Sequence, residues 1–501
     1  MAQDSINIVS NCFSRWWERL CLRCHQPDPA PTWEPAWWRR AFPFPLFSTY
    51  RQTAQQICII LIFLLIWGTL YAEVGAPVGL NGELFSMSLL VICSWLAGWA
   101  WLKLTTLPAL IGMLLTGILF QNLGWVHMTS TYVKLNQDLR KISLVIILTR
   151  AGLGLDAGVL RKYYAAVLQL GLVPWLVECL AIGITTHYLL NLPWIWVVVP
   201  CLFRLRDSGY GVSKGIPTMI LAAAAIDDSI SVAIFSIILN TMFSTGSLTY
   251  NIIKGPLSIV AGIAFGSLFG ALTSFMPERG DSYVVPLRFL VLFLSGLFAL
   301  FVSNMIGWSG AGPLAVVSSG FVAAYLWSKQ GWPVNKNPVS NVFRILWIFF
   351  EPILFAFTGA QVTISSLDPL VLKMGALCLI ACLFIRLIAT FAVSFGCGLN
   401  NKEKHFIGLT WTAKATVQAA LGPAALDLVH AGQSAGLPND VEEMHAKALL
   451  TISVLSVVIC APLGAVLIAL TGPRLLSRSE DEGPSNSPAP VGLQNIGVTE
   501  D

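Results

Sequence analysis

Between residues 55 and 471 this chain contains fourteen apolar segments separated by short polar or charged breaks. Their spans are 55–73, 85–103, 107–127, 141–157, 163–188, 193–205, 216–243, 251–274, 285–306, 309–328, 342–365, 370–396, 404–430 and 445–471. About 20 helical residues are needed to cross the roughly 30 Å of hydrocarbon in a bilayer. All but the sixth segment reach or approach that length. The chain therefore reads as an all-α polytopic membrane protein with about fourteen transmembrane helices. Charge content agrees, since 11% of its 501 residues are charged, against about 25% in soluble domains.

Loop charge sets the expected orientation, because short cytoplasmic loops collect Lys and Arg. With the N-terminus in the cytosol and fourteen crossings, the inner loops hold Arg161, Lys162, Arg206, Lys214, Arg279, Lys329, Lys336, Lys402, Lys404, Arg474 and Arg478. The outer loops hold few, with Lys134, Arg140 and Lys141 as the exception. The reading is a cytosolic tail at 1–54, a membrane domain at 55–472 and a disordered cytosolic tail at 473–501. The plasma membrane is the expected location, with endosomal or mitochondrial membranes as alternatives. A net charge of +4 carries no sign of nucleic-acid binding. Lipid is the expected surround. Cys21-Leu-Arg-Cys24-His25 matches a haem-attachment pattern, read as coincidence in a short Arg-rich tail, and no cofactor is expected.

Asp227 and Asp228 sit side by side in the run Ile216–Phe243. A charged carboxylate at mid-bilayer depth costs roughly 2.5–3.5 kcal/mol on insertion scales. Two in succession belong in a protein interior or a wet cavity, where they make a cation or proton site. The bland alternative, a pair that only ties helices together, would need two cations nearby and gain little. Glu178, Arg386 and Lys414 also lie well inside apolar segments and bring the set to three acids and two bases, the account a proton-coupled cation site requires. Arg150 and Glu351 lie near segment ends, where snorkelling to the interface is the simpler reading. Around Lys414 the residues are small: Thr412, Ala413, Ala415, Thr416, Ala419, Ala420, Gly422 and Pro423. Such a stretch suits a helix broken at the midplane, where transporters hold their ions.

At these residues the chain resembles the cation:proton antiporter superfamily, in particular the animal sodium/hydrogen exchangers nearest to bacterial antiporters with paired aspartates. The motifs are Arg150–Asp156 (RAGLGLD), Gly209–Thr218 (GYGVSKGIPT), Ala225–Ile230 (AIDDSI), Phe384–Phe391 (FIRLIATF) and Ala413–Pro423 (AKATVQAALGP). The resemblance implies an inverted-repeat antiporter fold with scaffold and core halves, assembled as a homodimer. It implies Asp228 as main ligand of sodium or lithium and Asp227 as its partner. Arg386 would pair with Glu178 through a bidentate fork. Lys414 would serve the second broken helix, with Gln361, Thr412 and Thr416 behind the site.

Two departures stand out. The first broken helix is reduced to Leu192–Leu205, about 20 Å of helix, with Pro200 inside it. The family's acid after the FxPxLF run is replaced by Gln361 in FEPILFAFTGAQV, which would leave Lys414 without its usual partner. The expected activity is sodium (or lithium)/proton antiport by alternating access, electroneutral because Arg386 holds its proton. The alternatives are potassium/proton exchange, proton–anion cotransport on the same fold, or a transport-inactive splice form acting on a full-length partner. No nucleophile–base pair points to an enzyme.

Overall fold

In a computed structural model of the chain the described residues are 35, 37, 38 and 50–475, apart from 81, 106, 127–129, 191–215, 243–247, 279, 396–399, 411–415 and 435–439. The short sixth segment, most of both tails, Thr412 and Lys414 thus lie outside them. Every regular element among the described residues is helical, as lipid requires of a chain whose backbone must satisfy itself within each segment.

A first compact unit runs through Ser86. It holds α1 (Tyr50–Val74), a 3-10 turn at Ala76–Val78 and the start of α2 (Glu83–Thr105). The Trp67 indole donates to the Val78 carbonyl at 3.0 Å and stacks on Tyr71, which folds the turn back on α1. Leu61, Leu65 and Ile66 are exposed, as lipid-facing side chains are.

From Met87 onward the rest forms a second unit. Its further helices are α3 (Ala109–Asn122), α4 (Ser130–Leu153), α5 (Ala157–Lys162), α6 (Tyr164–Leu190), α7 (Ile216–Met242), α8 (Leu248–Phe275), α9 (Val284–Met305), α10 (Ala311–Lys329), α11 (Pro338–Gly359), α12 (Pro369–Ser394), α13 (Asn401–Thr410), α14 (Thr416–Leu421), α15 (Ala424–Ser434) and α16 (Asp440–Leu475). Eight helices among the described residues are long and apolar enough to cross a membrane. Length and hydropathy alone do not reach the expected fourteen. α4 carries Lys134, Asp138, Arg140, Lys141 and Arg150, and the segment read as 404–430 is interrupted at Gly422–Pro423, between α14 and α15.

Packing sorts the second unit into two groups. In one, α8 lies along α10, α10 touches α4 and α9, and α11 packs on α3 and α4. A Cβ on Gly262, Gly266 or Gly270 of α8 would overlap the carbonyl oxygens of Ala311, Ala315 and Ser319 on α10. Glycine at every fourth position therefore brings the two backbones into contact, the small-residue packing that lipid favours. In the other group, α6 runs against α12 and α7, while α13, α14 and α15 gather on α16, which also meets α12. These are the scaffold and core halves.

Candidate cation site and its charge framework

Asp227 and Asp228 lie mid-way along α7 and are 1% and 4% exposed. The Ser231 hydroxyl, one turn on, donates to Asp227 Oδ1 at 3.4 Å. Their helix as a whole packs against α6 and α10, and also touches α5, α8, α14 and α4. One turn before Asp227, a Cβ on Gly171 of α6 would come within 3.1 Å of the Ala223 carbonyl oxygen. The missing side chain lets α6 close on the carboxylate helix.

On α12 the residues Cys378, Cys382, Arg386, Thr390 and Ser394 recur every four positions, and all are buried. Leu377, Ile380, Phe384 and Ile388 on the opposite side are exposed. The helix thus presents polarity inward and hydrocarbon outward. Its polar stripe meets α6 in antiparallel order: Arg386 Nη1 donates to Glu178 Oε2 at 2.8 Å, and Thr185 Oγ1 lies 2.7 Å from Cys378 Sγ. Both members of the ion pair are fully withdrawn from solvent, at 1% and 3% exposure. The sequence reading paired these residues correctly but expected a bidentate fork. Arg386 Nε and Nη2 have no hydrogen-bond partner among the described residues, so the guanidinium meets the carboxylate through one nitrogen.

The second broken helix is visible from Thr416 onward. Pro423 has no N–H to give the Ala419 carbonyl, and α14 ends at Leu421. That carbonyl takes its hydrogen from Thr358 Oγ1 on α11, at 2.8 Å. The Gly422 N–H closes the last turn onto the Gln418 carbonyl at 2.7 Å. Gln418 itself is fully buried, and neither atom of its side-chain amide has a hydrogen-bond partner among the described residues. The same holds for the Ser453 hydroxyl on α16, which fits into the notch left by Gly422. Unpaired buried polar groups cost about 1–3 kcal/mol each and mark a site with a job beyond packing.

Gln361 lies two residues beyond the C-terminus of α11, and it has partners that the sequence reading did not consider. Its Oε1 accepts from Arg140 Nη1 at 3.4 Å, and its Nε2 donates to Asp427 Oδ1 at 3.4 Å. Arg140 Nη2 and Asp427 Oδ2 form an ion pair at 2.5 Å. The expectation that Arg140 is a loop residue is corrected here. α4 begins at Ser130, eleven positions before the apolar run from 141, and carries Arg140 inside the bundle at 3% exposure. Helix length outran hydropathy because one polar face of the first turns is turned to protein. Asn136, Arg140 and Ser143 are all buried at spacings of four and three. That periodicity is the signal that would have found Arg140; nothing local marked Asp427 or Gln418.

Comparison with known proteins rests on the same region. The family described as "Sodium/hydrogen exchanger, transmembrane" matches residues 87–471. The chain belongs to the sodium/hydrogen exchanger family. It is 37% identical over 442 residues to sodium/hydrogen exchanger 9B2 of Homo sapiens, covering 84% of this chain and 80% of that one. It is 32% identical over 444 residues to sodium/hydrogen exchanger 9B1 of Homo sapiens, covering 84% of this chain and 83% of that one. Among solved structures, the sodium proton antiporter MjNhaP1 from Methanocaldococcus jannaschii at pH 8 matches with a TM-score of 0.63 at 17% identity, over 77% of this chain and 98% of that one. That likeness is of fold: this exchanger-family chain is a polytopic helical membrane protein with the inverted-repeat antiporter fold.

Proposed function

We propose that this chain exchanges sodium or lithium for protons across a membrane by alternating access, with Asp228 as the main cation ligand and Asp227 as its partner. The observation that carries the reading is the burial of both acids on α7, which touches the broken helix, where the Gln418 amide has no partner among the described residues. Adjacent carboxylates resist double ionisation, and nearby cations pull one toward the charged form. A cation and a proton then compete for the same oxygens. Because the site holds one or the other while the core half moves, the two fluxes are coupled. Arg386 retains its proton and is held by Glu178, so it carries none across, and exchange is electroneutral. Lys414, with Thr412 and Thr416 beside it, balances the partial charges freed where the helix breaks. The working unit is a homodimer in lipid with both termini cytosolic.

The test is sodium-driven proton flux in proteoliposomes, comparing the parent with Asp227→Asn/Asp228→Asn. Parental flux from the double variant overturns the site. A second reading is favoured by Leu192–Leu205, which is too short for a full broken helix. In that reading the 501-residue chain transports little by itself and modulates a longer partner.

A further inference from the structure

We propose that Arg140, Asp427 and Gln361 form a latch between the scaffold and core halves, at the bundle end that loop charge assigns to the outside, and that the latch parts in each transport cycle. The inference rests on the antiport reading in one respect: the two halves must move against each other.

Three observations carry it. First, the residues belong to different halves. Arg140 is on α4, which packs on α10 and α11 of the scaffold. Gln361 follows α11 directly. Asp427 is on α15, which packs on α16 of the core and continues the broken helix. Any displacement of core against scaffold acts on the Arg140–Asp427 contact. Second, the contact is short and mostly dry. The guanidinium is 3% exposed and Asp427 14%, so the attraction is little screened. Separation costs most on the arginine side, where a buried charge would lose its counter-ion.

Third, Gln361 makes the latch reversible. An amide both accepts and donates, and here it does both: to Arg140 through Oε1 and to Asp427 through Nε2. When Asp427 leaves with α15, Arg140 keeps the Gln361 oxygen, a neutral acceptor on its own half. A carboxylate at 361 would instead hold Arg140 permanently within the scaffold and leave Asp427 redundant. The neutral residue at 361 is thus what hands the arginine's counter-charge to the moving half. Arg140 and Asp427 are positioning residues in this scheme, since neither is a ligand of the transported ion.

The experiment reads distance, so it does not depend on flux. Spin labels are attached through genetically encoded keto amino acids at Leu135 on α4 and Leu428 on α15, both exposed. Their separation is measured by pulsed electron resonance in lipid nanodiscs. The parent is expected to show mainly the short distance. Asp427→Asn removes the counter-charge, and Gln361→Glu competes for Arg140. Each should raise the ratio of long to short distances roughly threefold or more, as loss of a contact present in only one state demands. The exchanged pair Arg140→Asp/Asp427→Arg should return toward the parental ratio and shows that the effect is not misfolding. Unchanged distances in both Asp427→Asn and Gln361→Glu overturn the latch, even where thermal stability falls, since a static clasp predicts that. Failure of the antiport reading looks different: no sodium-driven proton flux even from the chain lengthened between Trp196 and Val197, with the distances still shifting.

Discussion

Gly262, Gly266 and Gly270 on α8, and Cys378, Cys382, Arg386, Thr390 and Ser394 on α12, are ridges of the same period in the two halves. The first lies backbone to backbone against α10 and leaves nothing that can titrate or exchange a partner. The second places a guanidinium against Glu178 and a thiol against Thr185 of α6. Each half also buries an arginine, with different support. In the scaffold, Arg288 sits between the rings of Trp327 and Trp332, at 5.4 and 4.8 Å, and donates to Gln330 at 2.9 Å. In the core, Arg386 depends on one carboxylate of a neighbouring helix. A glycine ridge gains dispersion contacts and rigidity. A polar ridge gains little net stability in a dry interior, but it can respond to an ion. The half that carries the carboxylate pair is therefore the half whose packing is electrostatic.

Several substitutions break or sharpen that contrast. The largest effect is expected for Asp228→Asn in a chain that transports: sodium/proton exchange falls to the background of empty liposomes, with expression and melting temperature near the parent's. Next is length. Inserting about fourteen small and apolar residues with a central Pro, roughly 20 Å of helix, between Trp196 and Val197 should turn weak or absent flux into robust exchange and raise stability. Strong flux from the unmodified chain refutes the importance given to that segment.

Smaller effects concern stability. Glu178→Gln leaves Arg386 charged, buried and unpaired, at a cost of about 3–5 kcal/mol. Replacing both members with Leu or Met should recover most of that in a thermal-shift assay while exchange stays impaired. An equal loss in single and double variants would show that the core half is held by shape, as the scaffold is. Gly266→Leu should cost about 1–3 kcal/mol by overpacking, or more where the backbones cannot part, with no selective change in sodium affinity. Thr358→Val strands the Ala419 carbonyl at the helix break and should cost about 1 kcal/mol net. A neutral result would mean that another group reaches that oxygen.

The order of these effects tracks what is legible locally. A doublet such as Asp227–Asp228 announces itself because the hydrocarbon around it makes any carboxylate costly. The polar period on α12 is equally plain once Arg386 is noticed, but the pairing of Arg386 with Glu178 was implied by the family resemblance and not by that period. The single-nitrogen geometry of that pair was beyond reach, since spacing says which residues face each other and not how a guanidinium turns. Arg140 was misplaced because a hydropathy window cannot tell a polar residue facing protein from one in a loop. The break in 404–430 was half legible: Pro423 and the run of small residues pointed to it, but the hydroxyl that satisfies the Ala419 carbonyl there comes from α11.

By itself the sequence determined the solvent, the element type and the costliest residues. Each of these follows from transfer free energies summed over some twenty neighbours. Only the tertiary structure decided who meets whom. Arg140 and Asp427 are 287 positions apart, Arg386 and Glu178 208, and Thr358 and Ala419 61. No local energy chooses such partners. They are set by which helices pack side by side, α12 on α6 and α11 on α14, and by where a proline leaves a carbonyl without its hydrogen.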